Sequence, residues 1–404
     1  MHAPLGKRPP GLDPRVVDVP AVVAIVGGGP AGLRTANLLA RRLRPAEARI
    51  VLVDAAGRHV HRPGLLPVAL GAAVEERSIV RETVDVAHGD VEVLIDLAIR
   101  VDPVAGRLHL RHGAPIPYDI LVIATGAKVD RESIPGFEQG AEDFYSLPTA
   151  RRLRARLEAW TGGRLVVGLA GTPTSAPTAP FEFALLAEEA FRRRGIRSGT
   201  DIVVLTPTAR ATSVDDLDPL VRDLLASRHI DLVTNAEVDE MRPGTVVTTT
   251  GMEITHDLAV FVPPHTGATV VRDSGLGDID GWLPIERRTL RLKGFEAIYG
   301  QGDATDVGLL GAGSTAHLSS PAVAERIVSS IRGHEPHPDR GTFDGDGVLV
   351  FVTGRNRAAV VRYGYDRPVE ITGPSVVGGL RASLRRRAYW RMMRRGRLGA
   401  TWTN

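Results

Sequence analysis

The chain has 404 residues, 43% of them hydrophobic and 24% charged, enough for two to three globular units with ample cores, which excludes long disorder and collagen-like repeats. Its formal charge of +3 is unevenly placed: eight arginines (Arg381, Arg385, Arg386, Arg387, Arg391, Arg394, Arg395, Arg397) stand in a stretch with no acid from Arg381 to Asn404, so the rest of the sequence carries a formal −5. With no cysteine, disulfides, thiolate metal sites, a cysteine nucleophile and a dithiol relay are all excluded, and lysine only at positions 7, 128 and 293 confines Schiff-base chemistry to three places.

Residues 1–20, with Pro4, Pro9, Pro10 and Pro14, lack the apolar region of a signal peptide and are expected to be mobile. No run of 18 apolar residues occurs anywhere, so the expectation is a cytoplasmic protein, peripheral to a membrane if it meets one. From Ala21 to Ala40 a β-branched strand leads through a glycine turn into a helix with apolar spacing. Gly27, Gly29 and Gly32 fill the G-x-G-x-x-G positions: a tight turn, a close backbone approach to a pyrophosphate, and helix packing on the strand. The pyrophosphate would sit at the helix start, beside Pro30 and Ala31. The next strand, Arg49 to Val53, ends in Asp54, 22 residues past Gly32, where a carboxylate can accept from a ribose hydroxyl. A glycine-rich helix start without a ligand is the competing reading.

Downstream, Tyr118 to Gly126 reads as a buried strand ending in Ala124-Thr125-Gly126, and Ala297 to Ala304 as another ending in Gly302-Asp303. An early G-x-G-x-x-G, a central A-T-G and a late G-D in this order resemble the flavoproteins with two dinucleotide domains that hold FAD. The resemblance implies that Asp303 bonds the flavin's ribityl or pyrophosphate, and it adds Arg62, in the loop with His61, and Ala98 to the cofactor contacts. The fold expected is α/β with two Rossmann-like domains. Strands near 22–27, 49–53, 91–95, 107–110, 119–124 and 297–300 belong to an FAD domain at 21–145 and 276–335; residues 146–275 form an inserted Rossmann-like domain with a hairpin-like pair near 245–262. A C-terminal α+β region follows, a sheet at 336–373 and a basic amphipathic tail at 374–404.

In the insert, the strand Arg164 to Ala170 continues into Gly171-Thr-Pro-Thr-Ser-Ala-Pro-Thr-Ala-Pro-Phe-Glu-Phe-Ala184. Pro173, Pro177 and Pro180 have no amide hydrogen for a phosphate, and the strand ending at Leu205 runs into Thr206-Pro207 without a ribose-binding acid, so NAD(P)H is not expected here. This segment resembles the T-P-x-x-C-P-P-A-P-Y-E-x-A stretch of sulfide:quinone oxidoreductases and flavocytochrome-type sulfide dehydrogenases. His61 to Gly71, Val262-Pro-Pro264, Asp273 to Leu290 and Phe343-Asp-Gly345 extend the similarity over about residues 20 to 365. The chain departs from that family where its chemistry lies: the first redox cysteine reads Ala176, the second, near the first strand of the C-terminal sheet, falls close to Leu349, and the lysine linked with quinone reads Ser314. Neither alanine nor leucine can capture sulfane sulfur.

The function expected is an FAD-dependent oxidoreductase that uses its flavin directly on an organic small molecule or quinone-like compound. The alternatives are a type II NADH dehydrogenase-like quinone reductase and a catalytically retired FAD-binding protein. Three side chains are candidates for catalysis, and no metal-ligating set is read. Glu182 opens a helix whose positive end would keep it ionised, as a base or merely as a first-turn cap. His265 would stand on a ligand-facing loop. His317 precedes a helix that the resemblance brings to the flavin ring. In the tail, Leu380, Leu384, Ala388 and Met392 lie four apart with Tyr389 and Met393 beside them, so residues 376–398 are expected to meet an anionic membrane surface, the body of the protein or a second copy. Nucleic acid is not expected, because no recognition motif accompanies the arginines.

Overall fold

The structure is a computed structural model that describes residues 19–72, 74–212, 214–306 and 313–395. The proline-rich start up to residue 18 and the end of the basic tail, Arg397 included, lie outside the described residues.

Uninterrupted aliphatic runs make strands that must be covered on both faces. Five of them form a parallel sheet in the spatial order Ile298–Gly300, Ile120–Ile123, Ala21–Val26, Ala48–Val53, Val91–Leu94. The cradle helix, Pro30–Ala40, follows the central strand and packs on the long helix Gly313–Ile331. Ile25, Leu33, Leu52, Val323 and Ile327 are fully buried in the shared core. The strand expected at 107–110 forms, but in a separate antiparallel sheet with Ala98–Asp102 and Ile116–Pro117. Its alternating burial suits a sheet with one wet face, unlike the continuous burial of the parallel strands.

A second parallel sheet runs Asp231–Val233, Thr200–Leu205, Gly163–Leu169, Leu258–Val262. The hairpin-like pair expected near 245–262 is corrected here. Thr245–Thr248 pairs with Val238–Arg242 and Glu253–Thr255 in an antiparallel meander, whereas Leu258–Val262, buried at all five positions, joins the parallel sheet. The helix Ala179–Arg193 lies on this sheet, and the meander Gly347–Gly354, Arg357–Gly364, Arg367–Ser375 packs its Phe351, Ala359 and Tyr363 into the same core.

The C-terminal helix, Val376–Arg395, splits the apolar stripe the sequence suggests. A four-residue step turns about 40° past a full turn of a 3.6-residue helix, so three steps carry the stripe roughly 120° around. Leu380 and Leu384 are 59% and 43% exposed, while Tyr389, Met392 and Met393 are buried against the body. Asn37 donates from Nδ2 to the Met393 carbonyl at 2.9 Å, and Arg41 to that of Arg394 at 2.7 Å. At the other end, a Cβ on Gly378 would stand 2.1 Å from the Ala358 carbonyl oxygen, so the helix rests directly on strand backbone. Gly378→Val therefore lifts this end of the helix. Limited trypsin digestion followed by mass spectrometry is expected to show cleavage after Arg381 about fivefold faster than in the wild type, the effect of roughly 1 kcal/mol in local opening.

Candidate functional site

A cavity of about 1490 Å³ opens at the carboxyl end of the five-stranded sheet, takes in Ser175–Ala179 after the strand Gly163–Leu169, and reaches the C-terminal sheet and helix. Ligands of open α/β sheets bind at such strand ends. One end is the glycine cradle. Gly27 has φ 107°, and a Cβ there would stand 2.4 Å from the Ala124 carbonyl oxygen; a Cβ on Gly32 would stand 2.1 Å from the Gly27 carbonyl oxygen. These two positions leave no room for a Cβ and press helix, turn and neighbouring strand together. Gly29 faces open space, and no side chain caps the helix that begins at Pro30, so its first amides point out beside Ala31. Gly32 itself is behind the wall, where it serves helix packing.

Asp54 ends its strand at the cavity wall, accepts from Thr83 Oγ1 at 2.5 Å and stands against Gly28. Ala124, Thr125, Gly126, Gly302, Asp303 and Arg62 line the same cavity. Gly302 has φ 63°, and a Cβ there would stand 3.0 Å from the Ala316 methyl and 3.7 Å from that of Ala31. Thr35 Oγ1 donates to Gln301 Oε1 at 2.8 Å and ties this turn to the cradle helix. Two buried polar atoms on the wall, Thr125 Oγ1 and Gln301 Nε2, have no hydrogen-bond partner among the described residues. A hydrogen-bonding ligand would satisfy both. Open helix amides, an unobstructed approach at Gly29 and unsatisfied polar atoms around Asp303 together fit a dinucleotide such as FAD. Ala98 is the exception among the sequence candidates: it is buried in the antiparallel sheet, paired with Leu110, and does not reach the cavity.

Ala176 and Leu349, where the cysteines of the resembled family would stand, both line the cavity, with Glu182 beside them on its wall. Glu182 accepts from Thr178 Oγ1 at 3.2 Å and from the Val352 amide at 3.3 Å. The expectation that a helix end keeps it ionised is overturned: burial outweighs these bonds and pushes its carboxyl up to about 8. His265 also departs from expectation. It pairs with Val129 in a short two-stranded ladder, is 1% exposed, and meets the wall from behind, through Ser175, whose Oγ lies 3.3 Å from His265 Nε2, and through the Tyr145 ring, edge-on at 5.0 Å. Burial, with Arg62 nearby, lowers it to about 4. His317 does line the cavity; burial and the adjacent Arg34 hold its imidazole well below the ordinary range, so it stays neutral. Arg34 donates to the His317 carbonyl at 2.8 Å. Burial raises Asp303, and Arg62 opposes that shift. Ser314 lies in the helix Gly313–Ile331, its side group outside the described residues.

Sequence reading missed His59 and Tyr389. His59 Nδ1 lies 2.7 Å from the Gly28 carbonyl oxygen and its Nε2 lies 2.6 Å from the Tyr389 hydroxyl, a residue 330 positions away. The His59-x-His61 pair after the second strand was a visible signal for the first; nothing local pointed to the second.

Residues 21–309 match the pyridine nucleotide-disulphide oxidoreductase family, and the chain belongs to that family. It is 24% identical over 399 residues to the mitochondrial sulfide:quinone oxidoreductase of Mus musculus, a match covering 93% of this protein and 87% of that one. To the sulfide-quinone reductase of Aquifex aeolicus it is 27% identical over 345 residues, 79% of this protein and 78% of that one. The solved structure of the Aquifex aeolicus sulfide:quinone oxidoreductase matches with a TM-score of 0.81 at 22% identity, covering 93% of this protein and 92% of that one, a likeness of fold. The protein is thus a flavin-dependent oxidoreductase that binds FAD, similar to the sulfide:quinone oxidoreductases and without a cysteine.

Because the folded Glu182 carboxyl titrates above its unfolded value, its contribution to stability is present at low pH and is lost as pH rises through about 8. Calorimetric Tm values across pH 6 to 9 are expected to fall more steeply for the wild type than for Glu182→Gln, whose amide has no proton to lose.

Proposed function

We propose that the protein uses its flavin directly on an organic small molecule or quinone-like compound, with no cysteine relay. The observation that carries this reading is a single cavity joining the glycine cradle to Ala176, Leu349 and Glu182. FAD, when bound, supplies two-electron redox chemistry. Gly27, Gly29, Pro30, Ala31 and the helix amides would hold its pyrophosphate, Asp54 its ribose, and Asp303, Thr125 and Gln301 the polar groups between pyrophosphate and ring. The walls formed by Leu349, Val350 and Val352 favour an apolar body in the substrate. Glu182, largely protonated at neutral pH, holds a proton on its carboxyl at the cavity wall, placed to serve a substrate oxygen as acid. Neutral His317 lines the same cavity.

Cysteine-dependent sulfide oxidation is incompatible with Ala176 and Leu349. On anaerobic addition of sulfide to the holoenzyme, the flavin absorbance is expected to persist and no sulfane sulfur to form. Rapid stoichiometric bleaching with sulfane sulfur would refute the reading. The type II NADH dehydrogenase-like alternative finds no support in the Pro173 to Pro180 segment, whose Ser175, Ala176 and Pro177 face the cavity itself.

We further propose a cytoplasmic protein that meets an anionic membrane through the outer end of its C-terminal helix. No helix among the described residues is long and apolar enough to cross a membrane. Val376, Val377, Leu380 and Leu384 are 62%, 60%, 59% and 43% exposed, and Arg387 and Arg391 are exposed beside them. Basic side chains near an anionic leaflet contribute about 1 kcal/mol each. The triple variant Val377→Ser, Leu380→Ser, Leu384→Ser is expected to cosediment with anionic liposomes at least about tenfold less than the wild type, since three exposed apolar groups supply well over 1.4 kcal/mol. Equal sedimentation of the two would end the membrane reading.

A further inference from the structure

The C-terminal helix does more than close the fold. Its Tyr389 reaches the glycine turn through one buried histidine, and the chemistry of that contact is determined by its ends. The Gly28 carbonyl can only accept, so His59 Nδ1 carries the ring proton and donates at 2.7 Å. Nε2 of the neutral ring is then an acceptor, and the Tyr389 hydroxyl, 2.6 Å away, is its donor. Both residues are buried, His59 at 2% exposure and Tyr389 at 7%. The surroundings clamp the pair: the His61 ring lies 4.0 Å from that of Tyr389, Trp390 meets His59 edge-on at 5.4 Å, and Trp390 Nε1 donates to the Ser78 carbonyl at 2.7 Å. Arg81 stacks over Trp390 at 5.1 Å. Gly28 in turn stands between the two glycines of the cradle, against Asp54.

We propose that the C-terminal helix is a latch on the FAD cradle, acting through Tyr389, His59 and the Gly28 carbonyl, so that docking of the helix and binding of FAD support each other. The proposal rests on the reading that the Gly27–Gly29 turn carries the FAD pyrophosphate. Withdrawing Tyr389 leaves a buried imidazole nitrogen without its donor, a loss that frees the ring and with it the carbonyl that orients the turn. Because coupling between two equilibria is reciprocal, whatever the helix gives to FAD binding, FAD returns to helix docking. Tyr389 and His59 are positioning residues; neither is assigned a part in the redox step.

Two measurements on the full-length protein test this. The dissociation constant of FAD from the reconstituted apoprotein, followed by flavin fluorescence, is expected to rise about tenfold in Tyr389→Phe, which keeps the ring packing and removes one buried hydrogen bond. Independently of any variant, FAD is expected to slow tryptic cleavage after Arg381, Arg386 and Arg387 of the wild type several-fold, and this protection is expected to shrink in Tyr389→Phe. FAD affinity within twofold of the wild type in Tyr389→Phe, or tail cleavage indifferent to FAD, would overturn the latch. Failure of the wild type to bind FAD at all would instead overturn the reading of the cradle, and the latch with it.

Discussion

Everything at this site depends on how closely the backbone approaches itself around Gly27. The carbonyl oxygen of Gly27 occupies the space a Cβ on residue 32 would need, and the Ala124 carbonyl occupies that of residue 27. Helix, turn and two strands therefore meet with nothing between their backbones, and the first amides of the cradle helix are left pointing into a cavity. The small residues around this point, Ala31, Ala124 and Ala316, extend the same close fit to the turn that carries Asp303. A dinucleotide site is the consequence of that packing.

Burial sets the electrostatics of the rest. In a cavity this deep, desolvation outweighs helix dipoles and single hydrogen bonds, so Glu182 keeps its proton near neutral pH while His59, His61, His265 and His317 lose theirs. Arg62 is the nearby charge that recurs, helping to lower His265 and opposing the rise that burial gives Asp303. The wall thus presents a neutral acid and a neutral imidazole in the same cavity as Ala176 and Leu349.

The basic tail illustrates how one helix can serve two surfaces. Its second half is bound into the body by Asn37, Arg41 and the aromatic cluster around Tyr389, and its first half lies on strand backbone through Gly378 and Gly379 with its leucines turned outward. The charge excess that sets the tail apart in composition is therefore distributed between a cavity wall, where Arg385 and Arg386 stand, and an exposed face.

Much of the fold was legible because it rests on local patterns. Uninterrupted aliphatic runs announced the parallel strands, glycine spacing announced the cradle, and the absence of cysteine excluded a thiol relay outright. Ala98, His265 and the ionisation of Glu182 were misjudged because each depends on depth below a surface, which a linear pattern does not encode. The strand at 258–262 was misjudged because a short apolar run reads alike in a hairpin and in a parallel sheet. Composition and motif by themselves determined that this is a cysteine-free flavoprotein fold. Only the tertiary structure decided which groups share the cavity, which of them hold protons, and that Tyr389 reaches Gly28, because burial and contacts between residues hundreds of positions apart exist only once the polypeptide has closed on itself.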